Sequence, residues 1–219
     1  MKPREIFLAC IVGLLLLVTA IVWLLGRGRD AAGAASAQNL RQWGIALNLY
    51  LIDNENQLPE VGSAPVDANQ TKAWYDALPP YLGQTSLAEL PAGQRPRPGA
   101  PSLWIDPAVK PARVWDPEVF YFNYAMNRAL QPQAGVRSFK INELNAPGNV
   151  VFLAEVDGYD PDVTPETVAF RHGRTKSAAA IAQVLFCDGH VAPVTRAVLA
   201  SDDALTAAAA EHGVSWFQK

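Results

Sequence analysis

Few side chains in this sequence are suited to chemistry, and they gather in two places. His172, Asp188 and His190 are two imidazoles and a carboxylate, the donor types that hold zinc or a similar ion. Their spacing indicates no fourth ligand, however, and Asp188-Gly189 between two β-rich segments is first of all a hairpin turn. The simpler reading makes His172, Asp188, Gly189 and His190 a strand-end network, in which Asp188 satisfies turn amides and the residues serve structure or a partner contact. The second group is Glu155, Asp157, Asp160 and Asp162, in EVDGYDPD. Calcium favours oxygen ligands gathered on one loop, but the EF-hand spacing is absent and a solvated acidic loop is the plainer account. No G-x-S-x-G elbow, H-E-x-x-H, P-loop or glycine-rich dinucleotide fingerprint is present. The expectation is a non-enzyme with no catalytic residue, no resident metal and no cofactor.

The elements that must position these residues begin with an uncharged run at residues 6–25, IFLACIVGLLLLVTAIVWLL. At about 1.5 Å per residue, a helix of this length crosses a hydrocarbon layer of roughly 30 Å. Lys2 and Arg4 before it, with Arg27 and Arg29 after it, are cationic anchors that leave its orientation open. A secretory signal is the competing reading, because Ala35-Ser36-Ala37 has the form of a cleavage site; the apolar run is longer than such signals carry. Residues 1–30 are read as an uncleaved membrane anchor and 31–219 as the globular domain. Within the latter, Leu40, Trp43, Leu47, Tyr50 and Leu51 recur at helical spacing, so residues 31–53 continue the helix with one apolar face.

Turn chemistry in DNENQLP closes that helix. Residues 54–118 hold most of the prolines and read as irregular, with a short helix over 71–78 and the most exposed, mobile loop at 86–101. Residues 119–195 carry the strand signals: 120–127, 150–156, a weak one at 169–172, and 182–187 paired with 190–194 through the Asp-Gly turn. Residues 196–219 are a C-terminal helix, capped by Ser201 and running through Ala210, with a tail. The order predicts an α+β fold with a small antiparallel sheet.

Of the net charge of −3, residues 1–30 contribute +2, which leaves −5 on the remainder. An acidic domain with no basic stripe is a poor candidate for nucleic acid. The two cysteines, Cys10 and Cys187, supply neither a disulfide framework nor a zinc motif.

Two sequence blocks carry a family resemblance. NLRQWGIALNLYLIDNENQLP is similar to the segment after the membrane helix of bacterial pseudopilin-like proteins, with Asn39, Leu40, Arg41, Gln42, Gly44, Ala46, Leu47, Tyr50, Asp53, Asn54 and Pro59 at matching positions. FRHGRTKSAAAIAQVLFCDGHV resembles their C-terminal His…Asp-Gly block, here Arg171, His172, Phe186, Asp188, Gly189, His190 and Val191, and YFNYAMN resembles their Tyr-x-x-Asn strand. The resemblance implies a pilin-like fold, in which a long N-terminal helix packs on the small sheet. It also implies a structural subunit of a type II secretion or type IV pilus-like assembly, held in the inner membrane with its head in the periplasm. Its partners would be membrane lipid and other pilin-like or secretion subunits. Four departures stand out. Ile6 precedes Phe7 where the family has the glycine cleaved by prepilin peptidase, and Ile11 replaces the glutamate five positions into the mature chain. The gap from His172 to Asp188 exceeds the family's nine intervening residues, and Asp106-Pro107 stands where Cys-Pro is common. A membrane-tethered binding module that uses the same fold is the alternative, and a metal-dependent hydrolase built on His172, Asp188 and His190 is a third.

Overall fold

One helix carries the chain from its apolar run to its sheet. The computed structural model describes residues 3–62, 72–131, 137–199 and 216; along residues 3–30 it describes the side chains of Leu14, Leu15, Leu17, Val18 and Ile21. Helix α1, Pro3–Asp53, is 51 residues long with its one proline in the first turn, where the missing N–H costs nothing. Gly28 and Gly33 lie inside it without ending it. Leu40, Trp43, Leu47, Tyr50 and Leu51 are buried, as their spacing predicts. The helix stops where Asn54 donates its side-chain N–H to the Tyr50 carbonyl at 2.8 Å, and Glu55 and Asn56 follow with φ of 52° and 63°. Most of the side chains in residues 6–25 fall outside the described set; among the described residues no helix is long and apolar enough to cross a membrane.

Six strands form one sheet: β1 (Phe122–Asn127), β2 (Val151–Gly158), β3 (Asp162–Val163), β4 (His172–Gly173), β5 (Ala180–Phe186) and β6 (Val191–Thr195). The order is β3-β1-β2-β5-β4, with β6 also paired to β5, and only the β1–β3 pair is parallel. A strand has two edges, so β2 and β4 share one edge of β5, at Val184–Phe186 and Ala180–Ile181, while β6 takes the other. The fold is thus a mixture of helix and largely antiparallel sheet. The hairpin at Asp188-Gly189 forms as its sequence predicts, with Gly189 at φ 92°.

Two expectations need correction. The weak strand at 169–172 shrinks to β4, which starts only at His172. The loop over 86–101 is not simply exposed: Ser86, Leu87 and Pro96 are buried, and Ser86 Oγ donates to the Asp76 carbonyl at 3.0 Å. Farther along that loop, Arg95 donates to the carbonyls of Pro117 and Glu118 and lies over the Phe120 ring. Its prolines fix turns instead of freeing the chain. The short helix at 71–78 forms as α2, Trp74–Ala77, whose Trp74 packs against both Trp43 and Trp104 at centroid distances of 5.8 Å each. Residues 201–210, read as a capped helix, lie outside the described residues.

Candidate functional site

Glu155 is the only charged residue in the first six positions of β2, and it is fully buried. A carboxylate placed there must find partners, because an unpaired buried charge costs far more than any apolar contact returns. Its neighbours are supplied by four other segments. Across the β1–β2 pairing it faces Tyr124. From α1, Ser36 donates to Glu155 Oε1 and lies 3.0 Å from Tyr124 OH, while Asn39 donates to Tyr124 OH at 3.3 Å. The chain beyond β2 returns beside it, with the Ala169 N–H donating to the Glu155 carbonyl at 2.8 Å, and this delivers Arg171 and His172. His172 Nε2 sits 2.9 Å from Glu155 Oε1.

Asp106 completes the group from the proline-rich region. Its carboxylate Oδ2 lies 3.6 Å from His172 Nε2 and accepts from Arg171 Nη1 at 3.2 Å, and its Oδ1 accepts from the Ala108 N–H at 2.8 Å. Asn39 donates to the carbonyls of Ser102 and Ile105, and the Asp106 N–H donates to Asn123 Oδ1, so helix and sheet together hold this turn. Asp106, Glu155 and His172 are all buried and offer ligand atoms within 4.8 Å of one another. Two carboxylates therefore face one guanidinium and one imidazole.

This environment moves the titrations. Burial raises Glu155, as does the nearby Asp106 charge, against the opposing pull of His172 and Ser36. Burial alone would lower His172, but the hydrogen bond to Glu155 and the charges of Glu155 and Asp106 outweigh it and the imidazole is raised. Tyr124 is raised by burial above all, with its neighbouring carboxylates adding to the effect. Among the described residues, Glu155 Oε2 and His172 Nδ1 are buried without a hydrogen-bond partner. Gly33 lies over the ring, where an added Cβ would stand 3.3 Å from His172 Cγ.

No protein-family model, curated protein or solved structure matches this chain.

The residues singled out from the sequence are divided by the fold. His172 joins Glu155 and Asp106, whereas His190 bonds Asp188 through Nδ1 at 2.6 Å in a half-exposed pair of their own. Among the described residues these three do not gather as one ligand set. Asp188 also accepts from the His190 N–H at 3.0 Å, the turn role expected of it, and the His190 ring stacks on Phe186 at 4.3 Å. Gly189 meets α1: a Cβ on Gly44 would stand 2.8 Å from the Gly189 carbonyl oxygen, and one on Gly189 would stand 2.6 Å from Asn48 Nδ2. The two sequence blocks, far apart in the chain, thus touch through a pair of glycines.

The acidic loop divides as well. Glu155 turns inward, Asp157 bonds Tyr121 OH near Arg171, and Asp162 is buried against Arg128. Among the described residues no calcium-like gathering of these carboxylates is present. Sequence reasoning overlooked Asp106, which stood in a region read as irregular, and took Glu155 for part of the loop. The available signal was the acid inside V-V-F-L-A-E-V, since a charge within a buried strand implies partners.

Proposed function

We propose that this chain is a membrane-anchored, pseudopilin-like structural subunit of a bacterial secretion or pilus-type assembly, non-catalytic, with its head in the periplasm. One observation carries the reading: α1 runs unbroken for 51 residues, roughly 75 Å, with its two ends in opposite environments. Near the start, Leu14, Leu15, Leu17, Val18 and Ile21 are all exposed, in a run whose composition suits lipid. Past residue 33 the same helix is buried on one side. Its other side keeps Ile45, Leu49 and Ile52 exposed at helical spacing, an apolar ridge suited to a neighbouring subunit. A long helix packed on the sheet, in the pilin manner, is part of this proposal. The Asp106–Glu155–His172 group then acts as an internal clamp that fixes the head to the rod.

A second reading, a tethered binding module, is favoured by a cleft of about 490 Å³ walled by Arg97, Pro98, Arg113 and Trp115, whose two exposed guanidinium groups suit an anionic ligand. Mass analysis of the N-terminus from native membranes, combined with cross-linking, separates the readings. A membrane-retained chain cross-linked to itself or to secretion subunits supports the first. A retained chain that is only ever monomeric supports the second, and cleavage after Ala37 into a soluble form overturns both.

A further inference from the structure

The internal clamp has the donors of a metal centre. We propose that Asp106, Glu155 and His172 form a binding site for a divalent transition-metal ion, zinc in the first instance, reached from the cleft beside Asp106. Ligands at the usual zinc distances stand about 3.4 Å apart around a tetrahedron. Here His172 Nε2 is 2.9 Å from Glu155 Oε1 and 3.6 Å from Asp106 Oδ2, so the imidazole stands near that spacing from each carboxylate, and all three ligand atoms lie within 4.8 Å of one another. Ser36 Oγ, from α1, donates to the same Glu155 oxygen. Two of the ligands have supports: Arg171 and the Ala108 N–H hold the Asp106 carboxylate, and the Ala169 N–H holds the Glu155 backbone.

The second observation is the orphaned oxygen. Glu155 is fully buried, yet Oε2 has no hydrogen-bond partner, although it shares one carbon with the Oε1 that faces His172. A proton shared between His172 and Oε1 leaves Oε2 unsatisfied, whereas a metal ion accepts both oxygens of a carboxylate. An imidazole with two carboxylates suits zinc and its first-row neighbours better than calcium or magnesium, which take oxygen alone. The nearest opening is a cleft of about 290 Å³ walled by Asn39, Ala100, Pro101, Ile105 and Asp106, so it reaches the residue at one side of the group. The guanidinium of Arg171 leaves a net negative charge from the two carboxylates when the imidazole is neutral, which a divalent cation offsets. The inference stands whether or not the chain joins a secretion assembly.

The test uses the full chain in detergent, stripped with a chelator and dialysed against zinc or cobalt(II). The expected result is one ion per chain, with visible cobalt bands of low coordination number. Asp106→Asn and His172→Gln should each weaken binding by at least about 100-fold, since losing a ligand exceeds the 10- to 100-fold cost of losing its support. His190→Gln, at the exposed pair, should leave binding unchanged. Should the two ligand variants fail to fold, X-ray absorption of the zinc-loaded natural sequence decides: one imidazole among oxygen donors supports the site. A sulfur donor, two imidazoles, dependence on His190, or no stoichiometric uptake overturns it and leaves a proton as the occupant.

Discussion

Glu155, buried in the apolar part of β2, meets side chains from α1 and from the chain that follows β2, so its replacement is a direct test of the proposed clamp. Glu155→Gln preserves shape but removes the charge facing His172, and breaking one side of a buried pair costs about 3–5 kcal/mol. The measurement is the urea midpoint at neutral pH. Ser36→Ala, which removes only a hydroxyl, should cost about 1–2 kcal/mol, because Tyr124 OH keeps its bond to Asn39. A reversed order of the two would mean that the hydroxyl, not the charge, holds the helix. Tyr50 gives a separate test in alkali. Burial, with smaller contributions from Tyr81 and Glu60, pushes its phenol up to about 12 from the ordinary 10.0. The folded state therefore keeps the proton more tightly than the unfolded chain. Its contribution to stability is complete below pH 10 and declines as pH rises from 10 through 12. Tyr121 and Tyr124 are raised as well, so phenolate absorbance should show several tyrosines released late; in Tyr50→Phe one of them should disappear and the loss of stability between pH 10 and 12 should shrink.

At the scale of elements, α1 and the β5–β6 hairpin approach most tightly where Gly44 and Gly189 leave no room for a Cβ. Alanine is the better helix former by about 1 kcal/mol, so Gly44→Ala would stabilise an isolated helix. In this chain its Cβ would meet the Gly189 carbonyl oxygen at 2.8 Å and Leu185 Cδ1 at 3.0 Å, and a backbone oxygen does not move cheaply. The expected outcome is a net loss of about 1–3 kcal/mol, the usual cost of overpacking. Gly93→Ala, where an added Cβ meets nothing within 4 Å, should stay within about 0.5 kcal/mol. Strands β1, β2, β5 and β6 were legible in the sequence because each is a short apolar run beside its own turn, and Asp188-Gly189 names its hairpin locally. The Asp106–Glu155–His172 group was not. Its members are brought together by pairings such as Ser36 to Glu155, 119 residues apart, and no local spacing encodes that distance. The nearness in sequence of His172, Asp188 and His190 pointed instead to a set that the two edges of β5 keep separate.

For the whole molecule, the consequential claim is which side of a membrane the head occupies, and the structure supplies a reporter for it. Val114 is 91 % exposed, on a loop beside the Arg113 and Trp115 cleft, so a thiol placed there meets solvent directly. Cys187 is fully buried, and burial raises its thiol well above the ordinary range, so it stays silent toward a water-soluble maleimide that needs an exposed thiolate. In a Cys10→Ser background, Val114→Cys should then be labelled by an impermeant maleimide in intact spheroplasts, without detergent, if the head lies outside the cytoplasm. Labelling that appears only after the membrane is opened places the head on the cytoplasmic face. In that case the cationic residues on both flanks of the apolar run have oriented it the other way, and a secretion role loses its footing although the clamp and the fold stand. Labelling of the parent Cys187 in folded protein would show a head looser than its packing implies. The unlabelled thiol of Val114→Cys, treated with a bifunctional maleimide that joins two thiols, also tests whether the apolar ridge at Ile45, Leu49 and Ile52 brings neighbouring heads together.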